Sequence, residues 1–158
     1  MPPCTFGIPL INWANNATVR EQLHIPEYVQ EWTMCAAGGT PEFSYTMSEK
    51  GSQWIWEDLY EQYKMLKFSG DMDAAVPTIG SINWINAMQD NWGASPTEEW
   101  RPWFYGNQVG GYVEEWSGMT FVTVQAAGHM VPQDQRERAH YMINSWVRNE
   151  TLNATASE

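Results

Sequence analysis

Lys64-Met65-Leu66-Lys67-Phe68 runs without a break into Ser69-Gly70-Asp71-Met72-Asp73, with Pro77 following shortly after. The first five residues read as a short buried strand, and the polar, Gly-containing stretch reads as the loop at its end. Pro77 suits the first turn of a helix. Ile79, Ile82, Ile85 and Met88 then recur at helical spacing, so the unit is strand, loop, helix. The pattern repeats further on. Thr120-Phe121-Val122-Thr123-Val124 is β-branched and strand-like, and it empties into Ala126-Ala127-Gly128-His129-Met130-Val131-Pro132. A last helix is predicted from about Asp134, a cap residue, with Ala139, Met142, Ile143, Trp146 and Val147 as one apolar stripe. Strands that end in polar loops and lead into helices indicate an α/β fold, a sheet with helices on its faces. Ligands of such sheets sit beyond the strand ends, where Asp73 and His129 both fall.

The rest of the chain is less regular. A short helical stretch from Val19 to His24 is stopped by Pro26, and Gly38-Gly39-Thr40-Pro41 reads as a loop. Between Gly51 and Tyr63 the spacing of Ile55, Leu59 and Tyr63 predicts a helix with one face packed inward. Trp103–Tyr105 and Tyr112–Trp116 flank Gly110-Gly111 and are expected to pair as a hairpin around that turn. The segment is too poor in strands to form a whole doubly wound sheet, which points to a sheet completed elsewhere.

With 158 residues, 43% of them apolar and 14% aromatic, the chain can bury a sizeable core. Its net charge of −11 would repel phosphate backbones and anionic lipid, so neither nucleic acid nor a membrane surface is an expected partner. An acidic surface fits solubility in an acidic compartment. No apolar stretch approaches the ~20 residues of a membrane helix. Asn16, Asn149 and Asn153 begin Asn-x-Ser/Thr sequons, candidate glycosylation sites suited to secretory-pathway exposure. Cys4 and Cys35 belong to no metal-binding cluster, so no metal or other cofactor is expected, and from spacing alone they read as buried thiols or one internal disulfide. His24 and His140 lack a second ligand at the spacing a metal needs. Ten tryptophans would also suit an aromatic platform for sugars, although most fall in predicted elements or beside prolines, where packing is the commoner use.

Asp73 and His129, 56 residues apart, each follow a predicted strand, acid before base. In α/β-hydrolases the chain order is Ser, acid, His, which makes these the second and third members of a triad. No Gly-x-Ser-x-Gly elbow is present. An imidazole can take a serine proton near neutrality, and a carboxylate fixes its tautomer and stabilises the imidazolium.

Two longer strings sharpen this reading. Phe68-Ser69-Gly70-Asp71-Met72-Asp73-Ala74-Ala75-Val76-Pro77 and Thr123-Val124-Gln125-Ala126-Ala127-Gly128-His129-Met130-Val131-Pro132 resemble the acid and histidine motifs of serine carboxypeptidases, in that order. Between them Trp100-Arg101-Pro102-Trp103 and Gln108 to Trp116 resemble the segment that precedes the family's histidine strand. Pro2-Pro3-Cys4 and Trp32-Thr33-Met34-Cys35 are similar to the small-chain start of lysosomal members. One departure stands out: Arg136 occupies a position where many members carry proline.

The resemblance implies the C-terminal, small-chain part of one α/β-hydrolase domain over residues 1–158. Residues 1–64 would be a helical and loop lead-in, 65–148 would carry the acid and histidine, and 149–158 would be a polar tail. The catalytic acid would be Asp73, with Asp71 shaping the loop, and His129 the base. Val76 and Met130 match positions near the leaving residue's pocket. The implied partner is a large N-terminal chain that completes the sheet and carries the serine, joined by disulfides through Cys4 and Cys35. The implied substrate is a peptide with a free C-terminus, hydrolysed in a lysosomal, vacuolar or secreted setting, and a homodimer of the two-chain unit is compatible with it. Acyltransferases and hydroxynitrile lyases share the scaffold, and a homologue without the serine would be non-catalytic.

Overall fold

The computed structural model describes residues 7–33, 51–60 and 62–156. Cys4 and Cys35 and the Gly38–Pro41 loop lie outside them. The chain divides into two compact units, Met1–Ser48 and Glu49–Glu158.

Among the described residues the first unit holds two short helices, α1 (Ile8–Ala14) and α2 (Ala17–Gln22). The α1 helix was not expected; it buries no residue, so its sequence carries no amphipathic signature. The α2 helix starts two residues before the predicted stretch. Its N-cap is Asn16, whose Oδ1 accepts from the Thr18 and Val19 amides. The guanidinium of Arg20 donates to the Val29 and Gln30 carbonyls, and Asn15 exchanges two hydrogen bonds with the Trp32 backbone.

The second unit is an α/β fold around an open, mixed, four-stranded sheet of order β1-β4-β3-β2. Its elements are α3 (Gln53–Leu59), β1 (Met65–Gly70), α4 (Thr78–Trp92), β2 (Glu98–Tyr105), β3 (Gln108–Trp116), β4 (Met119–Val124), α5 (Val131–Asp134) and α6 (Arg136–Val147). Strand β1 pairs in parallel with β4, and the other pairings are antiparallel. Among the described residues no strand lies beyond β1, which forms one edge.

Every residue of β4 is buried. Period-two alternation explains why: Val122 and Val124 enter one cluster with Ala139 and Met142 of α6, while Met119 and Phe121 enter another with Ile85 and Met88 of α4. A strand covered on both faces needs no polar side, hence the unbroken apolar and β-branched run. The α4 helix grips this second cluster by its middle, and Ile79 in its first turn stays 61% exposed. Gly93, with φ 62, ends it in the left-handed conformation that favours glycine.

Four expectations need correction. The β2–β3 hairpin exists, but it turns at Gly106-Asn107, between the paired Tyr105 and Gln108. Gly110 and Gly111 lie inside β3, where a Cβ would stand 2.2 Å from the Trp103 ring and 1.8 Å from the Thr123 carbonyl oxygen. Close approach, not a turn, demands those glycines. In α3 and its C-cap the inward aromatic residues are Trp56 and Tyr60, whose rings meet Trp84 and Trp92 at centroid distances of 5.6 and 4.3 Å. Ile55 and Tyr63 are exposed, because the helix stops at Leu59 and the aromatic pair offers more area to bury. In α6 the covered face is Ala139, Met142 and Ser145, so Ile143 and Val147 sit on its exposed rim. Asp134 ends α5 and does not cap α6, and its carboxylate accepts from the Gly128 amide.

The polar tail is anchored. Leu152 is buried in the α6-side cluster, and the Asn153 carbonyl accepts from the Phe104 amide of β2. At the centre of that cluster lies Trp103, fully buried, its Nε1 donating to the Thr123 carbonyl at 3.0 Å. Trp103→Ala is expected to destabilise the protein by about 3–5 kcal/mol, from lost burial and the cavity left behind. Chemical denaturation of the intact protein would measure it, and a loss under ~1 kcal/mol would contradict this packing role.

Candidate active site

Parallel pairing puts Gly70 opposite Val124, so the loops after β1 and β4 leave the sheet at the same end, side by side. Asp73 is three residues past the first strand end and His129 five past the second. Their separation along the chain is thus closed by one register. A Cβ on Gly70 would lie 2.3 Å from both the Ala127 and Gly128 carbonyl oxygens, so the two loops touch through a backbone that only glycine allows. The Met72 amide donates to the Ala127 carbonyl at 2.9 Å.

The Asp73 carboxylate accepts from His129 Nδ1 at 2.8 Å through Oδ2, and from the Ala75 and Val76 amides at 2.8 and 3.0 Å through Oδ1. Its side chain is 7% exposed and the His129 ring 61% exposed. The carboxylate is therefore covered while the ring stands open, and Nε2 makes no hydrogen bond among the described residues. An ionised carboxylate only accepts, so Nδ1 carries the proton of this bond, and Nε2 is the ring nitrogen turned away from Asp73.

The Val76 amide and then His129 hold the Asp73 carboxyl below its ordinary value of 3.8, against the opposing effect of burial. A depressed folded value means that ionised Asp73 stabilises the fold fully above that ordinary value, and that the contribution is lost as pH falls through the lowered one. The stability gap between wild type and Asp73→Asn should therefore narrow as pH falls below the ordinary aspartate range. Urea titrations of both proteins across pH would check this. Equal acid sensitivity would contradict it.

Asp71, read from the sequence as loop-shaping, accepts from the Ala126 amide at 2.7 Å. That bond supports Ala126, a non-glycine residue held at φ 59. The reading missed Thr78, whose hydroxyl donates to the Gly70 carbonyl at 3.1 Å and meets Ser69 Oγ at 3.0 Å, tying the start of α4 to the end of β1. A hydroxyl residue directly after Pro77 was the available signal. Val76 and Met130 flank the pair and are 50% and 57% exposed. Of the sequon asparagines, Asn16 caps α2, Asn149 accepts from Lys64 Nζ at 2.7 Å beyond the end of α6, and Asn153 lies in the anchored tail. All three are exposed.

A family model described as serine carboxypeptidase matches residues 3–149. The lysosomal protective protein of Mus musculus is 32% identical over 154 residues, covering 94% of this chain and 32% of the relative. Serine carboxypeptidase 1 of Hordeum vulgare is 31% identical over 155 residues, covering 95% of this chain and 29% of the relative. Serine carboxypeptidase-like 1 of Arabidopsis thaliana is 34% identical over 143 residues, covering 89% and 30%. The chain spans about a third of the length of these relatives. With its acid and histidine joined at adjacent strand ends and the family model matched over most of its length, this chain belongs to the serine carboxypeptidase family.

Proposed function

We propose that this chain supplies the acid and base of a Ser-Asp-His triad in a serine-type carboxypeptidase. The observation that carries the reading is the 2.8 Å bond from His129 Nδ1 to a covered Asp73 carboxylate, with Nε2 left open. In this reading a serine outside the chain attacks the last peptide bond of a substrate. His129 Nε2 takes the serine proton, then returns it to the leaving amine, and Asp73 fixes the ring and stabilises its protonated form. Val76 and Met130, apolar and exposed beside the pair, would border the pocket of the leaving residue. The whole chain would be the C-terminal portion of one α/β-hydrolase domain.

An N-terminal partner portion would bring the serine, the oxyanion donors and the strand that pairs with the open edge of β1. Cys4 and Cys35 would form disulfides to it, and the two-chain unit would form a homodimer. Glycosylation at Asn16, Asn149 and Asn153 and a lysosomal, vacuolar or secreted location complete the proposal, supported by the sequons, the acidic charge and the named relatives. The test is to express the full-length protein and offer it a blocked dipeptide with a free C-terminus. Release of the C-terminal residue, abolished by a serine-directed phosphonate, supports the reading. Acyl transfer to an alcohol without hydrolysis, or cleavage of a cyanohydrin, would move the protein to the acyltransferases or lyases. Inertness to the phosphonate would make it a non-catalytic homologue.

A further inference from the structure

The loop that carries His129 is held almost entirely through its backbone. The Gln125 carbonyl accepts from Arg138 at 2.9 Å, the Ala126 amide donates to Asp71, the Ala126 carbonyl accepts from Gln135 Nε2 at 3.1 Å, and the Ala127 carbonyl accepts from the Met72 amide. Beyond those anchors comes Gly128, which lacks a Cβ and has the widest backbone freedom of any residue. It sits directly before the histidine. Free rotation there would swing the imidazole, and the Asp73 bond alone cannot fix both the ring's position and its tilt.

One side chain restrains that glycine. Asp134 Oδ2 accepts from the Gly128 amide at 2.7 Å, a charge-assisted bond from a carboxylate. The Asp134 backbone is itself fixed, because its amide donates to the Met130 carbonyl at 3.0 Å within the short α5 turn opened by Val131-Pro132. The chain thus leaves His129, makes one turn, and returns a carboxylate to the residue before it.

We infer that Asp134 is a positioning residue for His129, acting as a hydrogen-bond acceptor that fixes the Gly128 backbone and so the aim of Nε2. This rests on the triad reading above. The need is for an acceptor, not for a charge, and an asparagine at this position keeps an oxygen in the same place. Near-attack geometry is sensitive at this level, since a displacement of ~1 Å costs on the order of a hundredfold in rate.

The experiment compares Asp134→Ala, Asp134→Asn and His129→Ala in the full-length protein, with hydrolysis of the blocked dipeptide expressed per active site titrated by the phosphonate. Asp134→Ala should lower kcat by about ten- to a hundredfold with KM within about threefold, and Asp134→Asn should restore kcat to within about threefold of wild type. Unchanged kcat in Asp134→Ala would overturn the inference. So would a folded Asp134→Asn variant as impaired as the alanine variant, an outcome readable even if Asp134→Ala fails to fold. His129→Ala separates the two levels of failure. Full activity in that variant overturns the triad reading and this inference with it, whereas an inactive His129→Ala beside a fully active Asp134→Ala overturns the role of Asp134 alone.

Discussion

His129→Ala in the intact protein should lower turnover of a blocked dipeptide about a millionfold, the loss seen when the base of a comparable triad is deleted. The expectation follows from the geometry. Among the described residues, the ring is the only side chain bonded to the Asp73 carboxylate, its Nε2 is open, and no neighbouring side chain bonds to it as a substitute base. The fold should survive the change, because the ring is 61% exposed and belongs to neither core cluster. Measurement requires single-site kinetics with an unchanged denaturation midpoint. Turnover within tenfold of wild type would remove His129 from the chemistry.

Asp73→Asn should cost about ten-thousandfold, since an amide keeps the shape but offers Nδ1 a donor and so favours the wrong tautomer. Its Oδ1 can still accept from the Ala75 and Val76 amides, so the loop should hold its form. Because the two residues act as a unit, the double variant should be scarcely worse than His129→Ala alone. Independent binding residues would instead show multiplied losses. Asp71→Asn is the control for loop geometry: the asparagine oxygen can still accept from the Ala126 amide, and its cost should be far smaller.

Much of this was legible in the chain itself. The run from Met119 to Val124 is apolar or β-branched throughout because both its faces are covered, and such a run reads as a strand wherever it occurs. The loops after the two strands were legible from glycine and polar residues at the strand ends, whereas the roles of Asp73 and His129 within them came from the resemblance to the serine carboxypeptidase motifs. The α1 helix was not legible, because a helix that buries nothing leaves no periodic trace. Gly110-Gly111 misled for a related reason. A glycine pair signals a turn or a close approach equally well, and only the ring of Trp103 and the carbonyl of Thr123 decide between them.

The sequence alone determined the α/β class, the strand-loop-helix units, and the placement of Asp73 and His129 in loops just past two strands, because each is written in residues adjacent along the chain. Tertiary structure alone decided the rest. Parallel pairing of β1 with β4 closed 56 residues of separation to one 2.8 Å bond, and the same folding turned Asp134 from an apparent helix cap into a restraint on Gly128. The physical reason is one of range. Periodicity and turn chemistry record what a residue needs from its neighbours in sequence, whereas a side chain's hydrogen-bond partner is set by which strand ends the sheet brings to the same edge.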